Sequence, residues 1–226
     1  MRRTVKRFIG RYRSEMLLCA FIADILLSPL GDSSAHIGGL LALVELSLLF
    51  VGASYMANRR IVRLVVFPVA LIWFFARLAE AFGDSRHFYT HLSPVAGLAI
   101  SCAVLWALLG RVHSASRVTS SVISEAFIIY LIIAIAFSQL YWSLDHLLGN
   151  PFNQIIPFRQ SNGFLYFSMT TLSGLGYSTI APINPYVRLV AALENMIGIF
   201  YVAVIVARLV SSYRARFRRT DEDPHR

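Results

Sequence analysis

Small hydroxyl residues, two glycines and a tyrosine are concentrated in residues 171–182, which read Thr-Leu-Ser-Gly-Leu-Gly-Tyr-Ser-Thr-Ile-Ala-Pro. A backbone whose carbonyl groups all face one axis must alternate in handedness, and glycine tolerates the positive φ that this requires. Gly174 and Gly176 meet that need. A row of carbonyl oxygens can replace the hydration shell of a monovalent cation. The same residues also fit an ordinary glycine-rich turn. The flanking segments therefore have to distinguish an ion-binding loop from such a turn.

The flanking segments are strongly apolar. Hydrophobic residues make up 57% of the 226 residues and charged residues only 15%, a composition typical of a membrane protein. Several runs approach the roughly 20 apolar residues that cross about 30 Å of hydrocarbon as a helix. We therefore predict an all-α polytopic membrane protein with six transmembrane helices. The predicted spans are residues 15–30, 36–57, 61–82, 92–111, 121–148 and 185–212.

Basic residues cluster at every second junction between these spans and give the chain its net charge of +9. This positive-inside pattern predicts a multi-pass protein of the plasma or inner membrane with both termini in the cytoplasm. It also explains the basic character without any nucleic acid. Residues 163–172 are apolar as well, but about ten residues are too few to cross a bilayer. They suit a re-entrant helix between the fifth and sixth spans.

The first span allows a second interpretation, because a basic start, an apolar run and small residues after it also describe a signal peptide. Asp24 lies within the run, and it favours a retained transmembrane helix. Cys19 and Cys102 lie inside apolar runs, where we expect buried thiols that act as small hydrophobes.

His87 and His91 are four residues apart, a spacing that could place two metal ligands on one helix face. We place them in a solvated outer loop, where no third ligand is evident. The sequence therefore predicts no metal site.

Residues 171–182 resemble the filter of the potassium-channel pore-loop superfamily, whose usual signature is Thr-Leu-Thr-Thr-Leu-Gly-Tyr-Gly-Asp-Ile-Thr-Pro. The similarity covers about 50 residues, including the short helix before the filter and the helix after it. It is closest in type to bacterial six-helix voltage-gated-like channels and two-helix-pore channels. The resemblance assigns the ion-selectivity filter to Gly174, Leu175, Gly176, Tyr177 and Ser178. Tyr177 and Leu175 would then point away from the axis and brace the loop.

The filter is degenerate at two of these positions. Gly174 lacks the threonine hydroxyl that supplies the innermost ion ligands in the family, and Ser178 puts a side chain where the family has glycine at positive φ. Thr179 replaces the usual acidic residue behind the outer mouth. We therefore expect ion conduction with weakened selectivity for K⁺.

The resemblance also suggests residues that support the filter and a residue at which the gate bends. Glu194 and Asn195 are too polar to face lipid, so they either bond the pore loop from behind or face the central cavity; we favour the first. Gly198 fits a gating hinge, although glycine also serves close helix packing in membranes. The expected support residues are Thr171, Ser173, Thr179 and Glu194, and the expected hinge is Gly198.

These expectations divide the chain into four parts. They are a basic cytoplasmic N terminus at residues 1–14, a four-helix domain at 15–118, a pore domain at 119–212 and a short cytoplasmic tail at 213–226. The four-helix domain resembles a voltage sensor without its arginine ladder, so we expect weak voltage dependence.

Other classes of function fit the sequence less well. Motifs of hydrolases, nucleotide-binding loops and zinc proteases do not occur, so we predict no enzyme and no cofactor. A transporter would normally show two corresponding halves. A single pore loop per chain predicts a homotetramer in the lipid bilayer that conducts K⁺ or other monovalent cations. The alternative is a non-conducting membrane assembly or regulatory protein that keeps the channel fold.

Overall fold

The computed structural model describes residues 13–31, 68, 71, 75, 86–114, 119–153, 161–176 and 179–221. Within these residues the chain is helical, apart from turns and one isolated β-bridge between Phe152 and Pro182. The helices are α1 (Arg13–Gly31), α2 (Arg86–Ser114), α3 (Ser120–Leu148), α4 (Ser161–Leu172) and α5 (Pro185–Asp221).

Helix α3 is fixed at both ends by its sequence. Thr119 precedes it with extended backbone, and its side chain accepts a hydrogen bond from the Val122 N–H, as N-cap residues do. Gly149 ends it in the left-handed conformation and donates its N–H to the Asp145 carbonyl. At about 1.5 Å per residue, its 29 residues extend beyond the thickness of a bilayer core. The predicted fifth span therefore forms as a helix with nearly the predicted bounds.

Helix α5 begins at Pro185, whose fixed φ and missing N–H suit the first position of a helix. Asn184 caps it, because its Oδ1 accepts the Tyr186 N–H at 2.9 Å. The helix continues to Asp221, nine residues beyond the predicted end at residue 212. The arginine-rich segment after the apolar part is made of adequate helix formers. The membrane-spanning part therefore ends where the sequence becomes polar, but the helix continues.

Two described helices are long and apolar enough to cross a membrane, namely Ser120–Leu148 and Pro185–Arg208. Helix α1 matches the predicted first span to within two residues. The predicted second and third spans lie outside the described residues, except for Pro68, Leu71 and Phe75, which are helical.

Helix α2 corrects two expectations. It begins at Arg86 rather than at residue 92, so His87 and His91 lie on a helix and not in a loop. Cys102 on this helix and Cys19 on α1 are exposed rather than buried. An apolar run in a membrane protein can face lipid as well as a core, and for this reason the run alone gives no information about which side of a helix is covered.

Helix α3 is the centre of the packing and touches α1, α2, α4 and α5. Its first part buries Ile129 and Ile132 against Phe21 of α1 and Ile100 of α2. Its last part packs an aromatic cluster against α4, in which the Tyr141 and Phe167 rings meet edge-on with centroids 4.9 Å apart. The two clusters place α4 and α5 along α3, with Phe164 and Val187 in the aromatic cluster and Leu172 and Tyr201 beside the first one.

Candidate functional site

The carboxyl end of α4 leads directly into the predicted filter. The chain folds back on the helix, where Ser173 N–H bonds to the Met169 carbonyl at 3.1 Å and Gly174 N–H to the Thr171 carbonyl at 3.0 Å. Gly176 N–H then reaches the Thr170 carbonyl at 3.1 Å. The last carbonyls of a helix lack partners within it, and residues 173–176 supply them.

Both glycines of this turn are left-handed, with φ of 76° at Gly174 and 68° at Gly176. Leu175 between them is not left-handed, so handedness alternates over the three residues as the sequence predicts. Other residue types adopt such φ values at a cost. Tyr177 and Ser178, the last two predicted filter residues, lie outside the described residues.

Leu175 is expected to brace the loop, and this role stays a prediction. Its side chain is 56% exposed, whereas Leu172, three residues earlier, is almost fully buried.

Helix α5 touches the end of α4 through three residues on one face. The Asn195 side-chain amide donates to the Thr171 carbonyl at 2.8 Å. The Glu194 carboxyl group lies against the hydroxyl of Ser168 and accepts the hydroxyl of Tyr141 at 2.6 Å. Of the two positions considered for Glu194 and Asn195, the structure therefore shows the one behind α4.

Gly198 completes this contact. A Cβ built on it would overlap the Leu172 carbonyl oxygen and lie 2.8 Å from the Leu172 carbonyl carbon. The two backbones are thus too close for any side chain at residue 198. Close packing is a sufficient reason for this glycine, and a role as a hinge stays a prediction.

The loop before α5, residues 179–184, is held by Asn153, which was not predicted from the sequence. Its side-chain amide donates to the Thr179 carbonyl at 3.0 Å, and its Oδ1 accepts the Ala181 N–H at 2.8 Å. Backbone bonds from Ile183 and Asn184 to the Pro151 carbonyl, at 2.8 Å and 3.1 Å, continue the connection. The sequence gives little sign of this role: Asn153 lies two residues after Pro151 and four after the capping Gly149.

The sequence-predicted site residues therefore fall into three groups. Thr171, Ser173, Gly174, Leu175 and Gly176 form one continuous turn, and Ser173 Oγ bonds the Met169 carbonyl at 2.7 Å. Glu194 and Gly198 pack behind α4, one turn apart on α5. Thr179 lies in the loop before α5, where its backbone carbonyl rather than its hydroxyl makes the contact with Asn153. Tyr141 and Ser168 join the site as partners of Glu194 and were not predicted.

A short helix that leads into left-handed glycines, set between two membrane-capable helices, is the arrangement expected of a pore-loop protein. Residues 117–215 match the model of a protein family described as "Ion channel". The match runs from just before α3 to the far part of α5. The chain therefore carries an ion-channel domain of the pore-loop superfamily in residues 117–215. No curated protein and no solved structure matches the chain.

The close contact at Gly198 predicts an unusual response to alanine. Alanine normally stabilises a helix by about 1 kcal/mol relative to glycine. At residue 198 the added methyl group instead pushes α5 from α4, at a cost of about 1–3 kcal/mol. Gly110 on α2 is the matched control, because a Cβ there meets nothing within 4 Å.

Thermal unfolding in detergent, followed by circular dichroism, measures both variants. We expect Gly198→Ala to unfold at a lower temperature than the unmodified protein and Gly110→Ala at the same or a higher temperature. Equal behaviour of the two variants would show that α5 and α4 are not in contact at residue 198.

Proposed function

We propose that the protein is a homotetrameric cation channel of the potassium type, in which each chain contributes residues 174–178 to a common filter. The observation that carries this proposal is the position of α4. This helix has 12 residues and is about 18 Å long, too short for about 30 Å of hydrocarbon. It lies in the chain between the two membrane-capable helices, which supports a re-entrant segment that enters and leaves the membrane on one side.

The surface of α5 supports assembly. Only 11% of the apolar stretch of α5 is buried within the chain, whereas 56% of the apolar stretch of α3 is buried. One turn of carbonyl groups cannot surround an ion, whereas copies related by closed rotational symmetry can. In the proposed assembly α5 lines the central cavity, and neighbouring copies and lipid cover its remaining faces.

The surrounding residues have proposed roles in this channel. Thr171, Ser173, Thr179 and Glu194 support the filter, and α5 bends at Gly198 to gate the pore. The full chain crosses the plasma or inner membrane six times, with both termini in the cytoplasm. No cofactor is required beyond the permeant monovalent cations.

Passive flux in proteoliposomes tests the proposal. We expect vesicles containing the purified protein and loaded with K⁺ to exchange it for an external tracer cation. Gly176→Val should abolish this flux, because a β-branched residue does not tolerate the left-handed φ at that position. Native mass measurement on the same preparations should give a tetramer for both proteins.

Two outcomes would contradict this proposal in different ways. A monomer or dimer in mild detergent would remove the closed ring of filter segments. A tetramer without flux would instead favour the alternative, a non-conducting assembly that keeps the channel fold.

Weak voltage dependence is a second expectation. Helix α2 corresponds to the fourth predicted span, and its sequence has no lysine or arginine between Arg86 and Arg111. Steep gating uses three or four charges per subunit, each contributing about 2.3 kcal/mol per 100 mV. Open probability should therefore change only shallowly over about 200 mV in planar bilayers. A steep activation curve would show that another helix carries the gating charge.

The degenerate filter predicts weak discrimination between K⁺ and Na⁺. Replacing Ser178 with glycine restores the family residue and should shift the bi-ionic reversal potential toward selectivity for K⁺. Gly174→Thr would restore the missing hydroxyl, but at φ 76° it adds strain of about 1–3 kcal/mol per chain. We therefore expect the single change to improve selectivity with less loss of stability than the double change.

Reversal potentials under matched K⁺ and Na⁺ gradients measure this prediction. Strong rejection of Na⁺ by the unmodified channel would contradict it. So would a Ser178→Gly variant whose reversal potential does not move.

A further inference from the structure

Three oxygen-to-oxygen contacts connect α3, α4 and α5 behind the proposed filter. The Tyr141 hydroxyl on α3 lies 2.6 Å from Glu194 Oε2. The Ser168 hydroxyl on α4 touches Glu194 Oε1 and lies 2.8 Å from the Ala134 carbonyl oxygen on α3. The Tyr141–Glu194 and Ser168–Ala134 contacts have ordinary hydrogen-bond distances, and the Ser168 and Glu194 oxygens are closer still. Each of the three contacts therefore needs one hydrogen between its two oxygens.

The side chains supply one hydrogen fewer than the contacts require when Glu194 is ionised. Tyr141 and Ser168 each carry one hydroxyl hydrogen, and the Ala134 carbonyl can only accept. The Tyr141 hydrogen belongs to its contact with Glu194, and the Ser168 hydrogen can fill only one of its two contacts. The third hydrogen has to be on Glu194 itself.

Burial favours the same assignment. Glu194 and Ser168 have no solvent-exposed surface, and Tyr141 has none either. An ionised carboxylate in such surroundings is costly unless a cation pairs with it. Among the described residues, the hydrogen-bond partners of Glu194 are the two neutral hydroxyls alone.

We propose that Glu194 is a neutral carboxylic acid that positions the filter by joining the three helices. Oε1–H donates to Ser168, Ser168 donates to the Ala134 carbonyl, and Tyr141 donates to Oε2. Each of the three hydrogens then has an acceptor, and each of the three contacts has its hydrogen. Glu194 is a positioning residue, since it acts on the filter through α4 and Asn195 continues the contact to Thr171. This effect on the filter rests on the proposed channel function, whereas the protonation of Glu194 does not.

Infrared difference spectroscopy of the purified protein in lipid at neutral pH tests the protonation directly. Glu194→Gln should remove the carbonyl band of a protonated carboxylic acid. Tyr141→Phe should keep that band but move it to higher frequency, because Oε2 loses its donor. Glu15→Gln is the control: this half-buried acid lies on α1 away from the site and accepts a hydroxyl from Ser120, and its loss should leave the Glu194 band unchanged. Loss of ionised-carboxylate bands in Glu194→Gln would overturn the proposal.

The functional part is tested by comparing Glu194→Gln with Glu194→Ala. Glutamine can donate one of its two amide N–H groups to Ser168 and accept the Tyr141 hydroxyl with its carbonyl, so it can make the contacts of a neutral acid. We expect the glutamine variant to keep the K⁺ flux and unfolding temperature of the unmodified protein and the alanine variant to lose both. A glutamine variant as damaged as the alanine variant would overturn the positioning role. An acid band in a protein that shows no flux would overturn the channel proposal and leave the protonation of Glu194 standing.

Discussion

One constraint shapes this part of the molecule: the last carbonyl groups of α4, which ends among other helices, need hydrogen-bond donors. Helix α4 stops at Leu172, which is buried, and the carbonyls of its final turn have no donors within the helix. The backbone of residues 173–176 and the Asn195 side chain supply those donors. Gly174 is the left-handed residue that allows this, and its bond to Thr171 is one found at helix C-termini. The departure from threonine at this position thus has a structural reason, since threonine does not adopt this conformation readily.

The same requirement determines which face of α5 is fixed. Glu194, Asn195 and Gly198 all point toward α4, and their spacing is that of one helical face. One turn further on, the Tyr201 hydroxyl donates to the Ala126 carbonyl of α3 at 2.7 Å. Gly198 therefore lies between two attachments. If α5 bends at Gly198, the part after it can move only when the Tyr201 hydrogen bond to α3 breaks. The part before it stays bound to α4 through Glu194 and Asn195.

The sequence predicted the elements better than their contacts. Hydropathy and length gave α3 nearly to the residue, and glycine chemistry gave the left-handed positions 174 and 176. A polar residue in an apolar helix usually faces the interior and has a partner, because exposure to lipid is costly. An inward-facing Glu194 was therefore predictable. Its partners Tyr141 and Ser168 were not, because a hydroxyl in an apolar run has no distinctive pattern. The exposure of Cys19 and Cys102 was missed for a related reason, since in a membrane helix apolar residues occupy covered and uncovered faces alike.

In the proposed channel, assembly and ion selectivity would rest on different residues of this domain. Assembly would be favoured by the apolar surface that α5 leaves uncovered in a single chain, where Met196 is 65% and Phe200 is 73% exposed. Selectivity depends on the few backbone groups around residues 174–178. A Cβ at residue 174 would meet only the Asn195 side chain, at 3.5 Å, so a change there does not cover the exposed apolar side chains of α5. In the proposed channel, discrimination between ions can therefore be lost while the closed ring of chains is kept.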